Sequence, residues 1–272
     1  MIDDTKIRLV FFLAVIVIMA LWEILAPRRK LTTSKARRWG RNLTITLINP
    51  LLVRLMFPVL ALGLAVKAKE SHWGLLNSFD IPDWIAFIAA IFFLDFIIYL
   101  QHLMFHAVPL LWRLHMIHHA DMDIDVTTGL RFHPLEILVS MLIKLSAVMV
   151  IGPPPAAVVA FEVILNAMAM FNHGNVRLPL GIDRIVRLIL VTPDMHRVHH
   201  SVYPRETNSN FGFNLSWWDR LFGTYKAQPT DGHEGMTIGL RQFRDDSRVT
   251  LPRILAMPFT GDQGKYAIGR RG

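Results

Sequence analysis

Five stretches of the chain are long and apolar enough to enter or cross a bilayer, with polar segments between them. A spanning helix needs about 20 mostly apolar residues, because the hydrocarbon core is roughly 30 Å thick. Residues 7–26 meet this, as do 43–66 and 81–100. Arg54 interrupts the second run and must snorkel or face the bundle. Two shorter runs, 135–151 and 155–171, flank Gly152-Pro153-Pro154-Pro155, a break that predicts a tight hairpin, either spanning or re-entrant. The pattern predicts an all-α integral membrane protein, a helical transmembrane bundle with a cytoplasmic, histidine-rich helical cap. Within the polar remainder, Ile185, Leu188, Ile189 and Val191 with Arg184 and Arg187 suit an amphipathic helix, lying on headgroups or on an ordinary cap surface. Residues beyond about 245 show no periodicity and are expected to be loosely ordered. No internal repeat is visible.

Composition agrees with the pattern, since 53% of residues are hydrophobic and mean hydropathy is +0.37. The formal charge of +8 is unevenly spread: seven of the 29 basic residues (Arg28, Arg29, Lys30, Lys35, Arg37, Arg38, Arg41) follow the first apolar run. Beside a hydrophobic helix such a block predicts a cytoplasmic loop facing anionic lipid. Nucleic acid is the poorer reading, because no aromatic platform is interleaved with it. Met1-Ile2-Asp3-Asp4 offers no basic n-region, so the first run reads as a retained helix with its N-terminus outside. Alternation then brings the end of the third run, and both ends of the hairpin, to the cytoplasmic face. With no cysteine, structural disulfides, thiolate iron–sulfur clusters and cysteine nucleophiles are excluded.

Ten of the 12 histidines lie between His102 and His200. Eight of them form His102-x3-His106, His115-x2-His118-His119 and His196-x2-His199-His200. Residues three and four apart share a helix face, so each cluster aims two or three imidazoles at one point. A single ion rarely takes more than six ligands, so the set predicts at least two metals. His133 and His173, at the same membrane boundary, are further ligand candidates. Lone His72 and His233 read as surface residues. Asp95 and Tyr99 lie on one helical stripe with His102 and His106; with Asn172, Asn175 and Asp194 they are candidates to hold ligand histidines in place. Asp95 equally suits a structural bond to a neighbouring helix. Imidazole sets suit iron, copper, zinc or nickel. The absence of H-E-x-x-H disfavours a zinc protease, and triplets on one face disfavour haem. At a bilayer interface a lipid can enter the site laterally. These residues predict a membrane-bound multi-histidine metalloenzyme acting on lipid, with a non-catalytic metal-binding protein or a zinc hydrolase as alternatives.

The three clusters, together with Arg131-x-His133-Pro134-x-Glu136 and Asn210-Phe211-Gly212 through Trp218-Asp219-Arg220-Leu221-Phe222-Gly223-Thr224, resemble the fatty acid hydroxylase/sterol desaturase superfamily of membrane non-haem di-iron enzymes. The resemblance covers about 90–226 and is to a bacterial-type member of the inner membrane. It implies two irons held by His102, His106, His115, His118, His119, His196, His199 and His200, with His133 and His173 where sterol-oxidising members also carry histidines. It implies that O2 and two electrons attack an unactivated C–H bond of a fatty acyl chain or sterol-like lipid. Hydroxylation comes first, with sterol-type desaturation and ether-lipid cleavage as alternatives. The division then reads 1–80 as membrane helices and basic loop, 81–226 as the di-metal domain with hairpin 135–171, and 227–272 as a cytoplasmic tail. No fused cytochrome b5-like block is present, so the electron donor is external: a ferredoxin, cytochrome b5-like protein or reductase. Arg113, Arg197, Arg205 and Arg220 either receive that donor or are plain surface charges.

Overall fold

The computed structural model describes residues 4–260 and 263–268. Residues 1–3, which entered the reading of the N-terminus, lie outside the described residues, as do 261–262 and 269–272 of the tail. The chain is helical: α1 Asp4–Leu25, α2 Lys35–Met56, α3 Ala61–Glu70, α4 Asp83–Ala107, α5 Pro109–His119, α6 Pro134–Ile151 and α7 Pro155–Asn172. Short helices complete it: α8 Leu180–Val186, α9 Pro193–His199, α10 Pro204–Thr207, α11 Trp217–Leu221, α12 Gly232–Gly235 and α13 Leu251–Ala256. Among the described residues extended pairing is confined to isolated bridges. Five segments (4–25, 35–77, 83–107, 134–151 and 155–172) have the length and apolar composition of membrane spans, as expected of an integral membrane protein.

The second run differs from its expected form. It breaks at Phe57-Pro58 because the residue before a proline is pushed out of the α region, and Phe57 is extended at φ −120°, ψ 108°. Buried Ala61, Ala65 and Ala68 then let α3 lie close against α6 and α7. The third run extends past 100, so α4 carries His102 and His106 on its last two turns.

The spans have a distal end and a histidine end. At the distal end Gly152 takes φ +59° and lies against Gly74 (φ +92°), so closely that a Cβ on either meets the other's backbone. The Asn77 amide donates to Trp73 O (2.8 Å) and Gly152 O (3.0 Å), tying the α3–α4 turn to the hairpin tip. Ile151 and Ala157 pack with Ala90 and Phe87, so the hairpin reaches the first turns of α4. Its other two ends reach the histidine end, where Glu136 of α6 bonds His115 and His173 caps α7.

At that end the basic block behaves unlike a lipid-facing loop. Arg38 is fully buried and donates to Asp121 (2.7 and 2.8 Å) and Asp125 (2.6 Å). Asp123 accepts from the backbone and hydroxyls of Thr32 and Thr33. Arg28 meets Asp194 and Glu234, Lys35 meets Glu23, and Arg37 and Arg41 both meet Asp246. The alternating carboxylates of Asp121-Met122-Asp123-Ile124-Asp125 draw the block inward, because buried charges must be paired. The tail is also better ordered than its lack of periodicity suggested. Leu240, Val249, Ile254, Met257 and Tyr266 pack on Trp112, Met116 and Ile117 of α5, and Trp112 Nε1 donates to Gln263 O at 3.1 Å.

Candidate metal centre

Four helices bring nine histidines together in two adjoining groups. His102, His106, His115, His119 and His199 form one; His118, His173, His196 and His200 form the other; in each, one ligand atom per residue lies within 4.8 Å of the rest. Helix geometry explains the division. On α4, His102 and His106 are four apart and join the same group, as do His115 and His119 on α5. His118 is turned from that pair and enters the second group. The arrangement reverses on α9 and its cap: His196 and His200, four apart, join the second group and His199 the first. His173, the C-cap of α7, completes the second. Both α5 and α9 start with proline at the first helical position, where its missing N–H costs nothing.

The rings are held from behind. His115 Nδ1 donates to Glu136 Oε1 at 2.6 Å, His102 Nδ1 to Phe211 O at 2.9 Å, His199 Nδ1 to Ser209 O at 2.7 Å and His173 Nδ1 to Ala169 O at 2.7 Å. His106 Nδ1 lies 3.0 Å from Asn208 Oδ1. The Nε2 atoms of His102, His115 and His199 are buried without a hydrogen-bond partner, and both nitrogens of His200 are. Other Nε2 atoms point at one another, His119 to His106 at 3.1 Å and His173 to both His118 and His196 at 3.0 Å. Buried imidazole nitrogens converging without donors between them are what bound cations would satisfy. The residues therefore fit two metal ions.

Burial also sets the charge state. It holds His118, His119, His196 and His200 well below the ordinary histidine pKa, reinforced by neighbouring histidines, and pushes His173 and His199 down to about 3. Neutral rings keep the lone pair that ligation requires.

His133 is not brought to either group. It caps α6, its Nδ1 accepting from Leu135 N at 3.1 Å and its Nε2 3.2 Å from Leu255 O. None of the five candidates for holding the rings bonds a histidine of the centre. Asp95 accepts from Leu215 N and Trp218 Nε1, Tyr99 meets Thr224, and Asn172 donates to Phe213 O. Asn175 bonds Arg29 through both its amide atoms, and Asp194 pairs with Arg197 and Arg28. Glu136, Asn208 and the loop carbonyls do that work instead. Glu136 was visible as an acid beginning an apolar run; Asn208 had no periodic signal. The loop is itself held: Asp219 accepts from Phe211 N and Gly212 N at 2.7 Å, and Asn210, at φ +53°, bonds Met195 O and Lys226 O. His72 is exposed, but His233 is buried 3.6 Å from Asp194 and not on the surface. Arg197 is buried too, which removes it from any docking surface.

Residues 87–224 match the family model described as fatty acid hydroxylase, a segment that contains all nine histidines. The chain is 28% identical over 271 residues to ornithine lipid hydroxylase OlsE of Rhizobium tropici, spanning 96% of this chain and 78% of that protein. It is 31% identical over 175 residues to alkylglycerol monooxygenase of Homo sapiens, spanning 63% of this chain but 38% of that one. Over 134 residues it is 26% identical to cholesterol 25-hydroxylase of Mus musculus, spanning 48% of this chain and 44% of that protein. No solved structure matches.

Proposed function

Because the chain belongs to the fatty acid hydroxylase family, we propose that it is an O2-dependent, di-iron oxidoreductase that hydroxylates an unactivated C–H bond of a membrane lipid. One observation carries the reading: two adjoining groups of buried imidazoles, five and four in number, most of them fixed from behind. His102, His106, His115, His119 and His199 would hold one iron, and His118, His173, His196 and His200 the other. When bound, the irons supply dioxygen activation. In the overall reaction one oxygen atom enters the C–H bond and the other leaves as water, taking two protons and two electrons. In this reading the electrons come from an external donor, such as a ferredoxin, a cytochrome b5-like protein or a reductase. By the positive-inside rule the centre would face the cytoplasm, and the bacterial relative suits an inner-membrane location.

The chain's own residues prepare this site. Glu136 keeps the His115 Nδ1 proton outward and its Nε2 inward. Trp112, Phe105 and Phe211, all buried, close the first group against water. Phe132 stacks on His118 with centroids 4.6 Å apart, and half-buried Phe213 reaches from the span core toward His102 and His196. The relatives named for ornithine lipid and alkylglycerol support a lipid bearing a polar head as the substrate class.

Metal analysis of the purified chain tests the assignment. Two irons per chain are expected, and a single zinc would overturn it. Lipid profiles of cells expressing native protein or His118→Ala then identify the product. A new hydroxylated lipid, lost in the variant, is the expected result; an aldehyde from an ether lipid would move the substrate bond next to an ether oxygen.

A further inference from the structure

The cap carries an apolar surface that the metal chemistry does not use. Leu180, Ile182, Ile185, Leu188 and Ile189, on α8 and the turn after it, and Trp217, Leu221 and Phe222, on α11 and its end, are each 41–71% exposed. All are more exposed than Phe92 (38%), and all but Trp217 more than Ile88 (46%), on the outward face of α4. A contiguous patch of this kind on a water-facing cap would be a liability, whereas facing acyl chains it is neutral.

Its position supports the second case. Trp217 stacks on Phe92 with centroids 5.9 Å apart, and Trp218 and Phe222 lie against Phe96 at 4.9 and 5.8 Å. Phe92 precedes His102 by ten residues, so Trp217 reaches roughly 15 Å along α4 from the metal centre toward the distal end of the bundle. Asp95, a carboxylate within that span, accepts from Leu215 N (3.3 Å) and Trp218 Nε1 (2.8 Å) of the same segment. A charge inside a span is costly unless it has such donors.

The backbone shows the same adaptation. Irregular chain at membrane depth must satisfy its polar groups internally. Three successive carbonyls in the turn after α8 are taken by the α11 segment: Arg187 O by Ser216 Oγ (2.8 Å) and Arg220 (3.1 Å), Leu188 O by Trp217 Nε1 (2.8 Å), Ile189 O by Ser216 N (3.0 Å). Val191 N returns the bond to Asn214 O at 2.9 Å. Asp183 and Arg187, the charges beneath α8, pair with each other and are buried.

We propose that residues 180–190 and 215–222 form one wedge sunk into the bilayer beside α4, its partner the acyl region of one lipid leaflet. The surface is continuous with the lipid-facing side of α4, and the wedge holds the cap in the membrane. Loop 211–213, which supports His102, connects it to the metal centre.

The chain has no cysteine, so a single introduced thiol labels without background. Nitroxide is attached at Ile185→Cys or Leu221→Cys, with Ile88→Cys as the span reference and Arg205→Cys as the water reference. The protein is reconstituted in phosphatidylcholine–phosphatidylglycerol vesicles, and collisions with oxygen and with a water-soluble nickel chelate are compared. The expected oxygen-to-nickel ratio at both wedge sites is several-fold above that at Arg205→Cys and close to that at Ile88→Cys. A ratio like that of Arg205→Cys overturns the proposal. Protection from both reagents overturns it as well, because a second copy or another protein then covers the patch. If Leu221→Cys does not fold, Ile182→Cys reports on the same face. The measurement needs neither metal nor turnover, so it stands or falls apart from the oxygenase assignment.

Discussion

Glu136 is, among the described residues, the one carboxylate bonded to a histidine of the centre, and its 2.6 Å contact fixes which nitrogen of His115 faces inward. Loss of such a partner typically weakens metal binding about 10–100-fold. Glu136→Ala is expected to fall in that range by competition with a metal chelator. Glu136→Gln, which keeps an acceptor oxygen, is expected to lose less; equal affinity in native and Ala proteins would remove Glu136 from this role. His133 gives the contrasting case. As a helix cap outside both groups, it is expected to leave the metal content of His133→Ala equal to that of the native chain while lowering stability by about 1 kcal/mol. A loss of metal in this variant would make His133 a ligand after all. The histidines themselves were legible because i, i+4 spacing on a helix is a geometric constraint written in residue identity. Their partners were not, because Ser209, Phe211 and Ala169 contribute carbonyls, which every residue possesses. Of the two readings open for Asp95, the structural bond to a neighbouring helix is the one seen, to Trp218 of α11; the stripe places Asp95 on the face of His102 without telling which segment crosses that face first.

At the scale of elements, hydropathy located the spans, and proline placed the hairpin turn between α6 and α7. It hid the break at Pro58, where both flanking segments are apolar and only the pre-proline restriction interrupts the helix. The C-terminal segment was opaque because α5 receives it through scattered contacts from Leu240, Ile254 and Tyr266, with no repeat a periodicity search can register. The junction of α2 with residues 121–125 carries the clearest energetic consequence. Arg38 is the ion-pair partner of two fully buried carboxylates, so Arg38→Met leaves both without a salt bridge and is expected to cost about 3–5 kcal/mol. Thermal unfolding in detergent reads this, and combining Arg38→Met with Asp121→Leu is expected to recover part of the loss. If the double variant is no more stable than the single one, the penalty is packing and not uncompensated charge.

Across the whole molecule, the cap is joined to the spans by charge as much as by apolar packing. Arg28, in the α1–α2 turn, bonds Asp194 of α9 and Glu234 of α12, and buried His233 lies 3.6 Å from Asp194. Burial pushes the His233 pKa down from 6.5 to about 4, against the pull of Asp194. Above pH 6.5 the ring is neutral whether the chain is folded or not, and its contribution to stability is fully present. As pH falls from 6.5 toward 4 the unfolded chain takes up a proton that the folded one refuses, so that contribution is progressively lost. His233→Gln removes this titration. The other buried histidines titrate alike in both proteins, so the difference between them isolates this one ring. The native protein's margin over His233→Gln, followed by unfolding midpoint between pH 7.5 and 4.5, is therefore expected to shrink as the solution is acidified. A margin that stays constant or widens would mean that His233 is protonated in the folded cap and pairs with Asp194 as a cation. The junction between cap and spans would then strengthen in acid, the opposite of what its burial predicts.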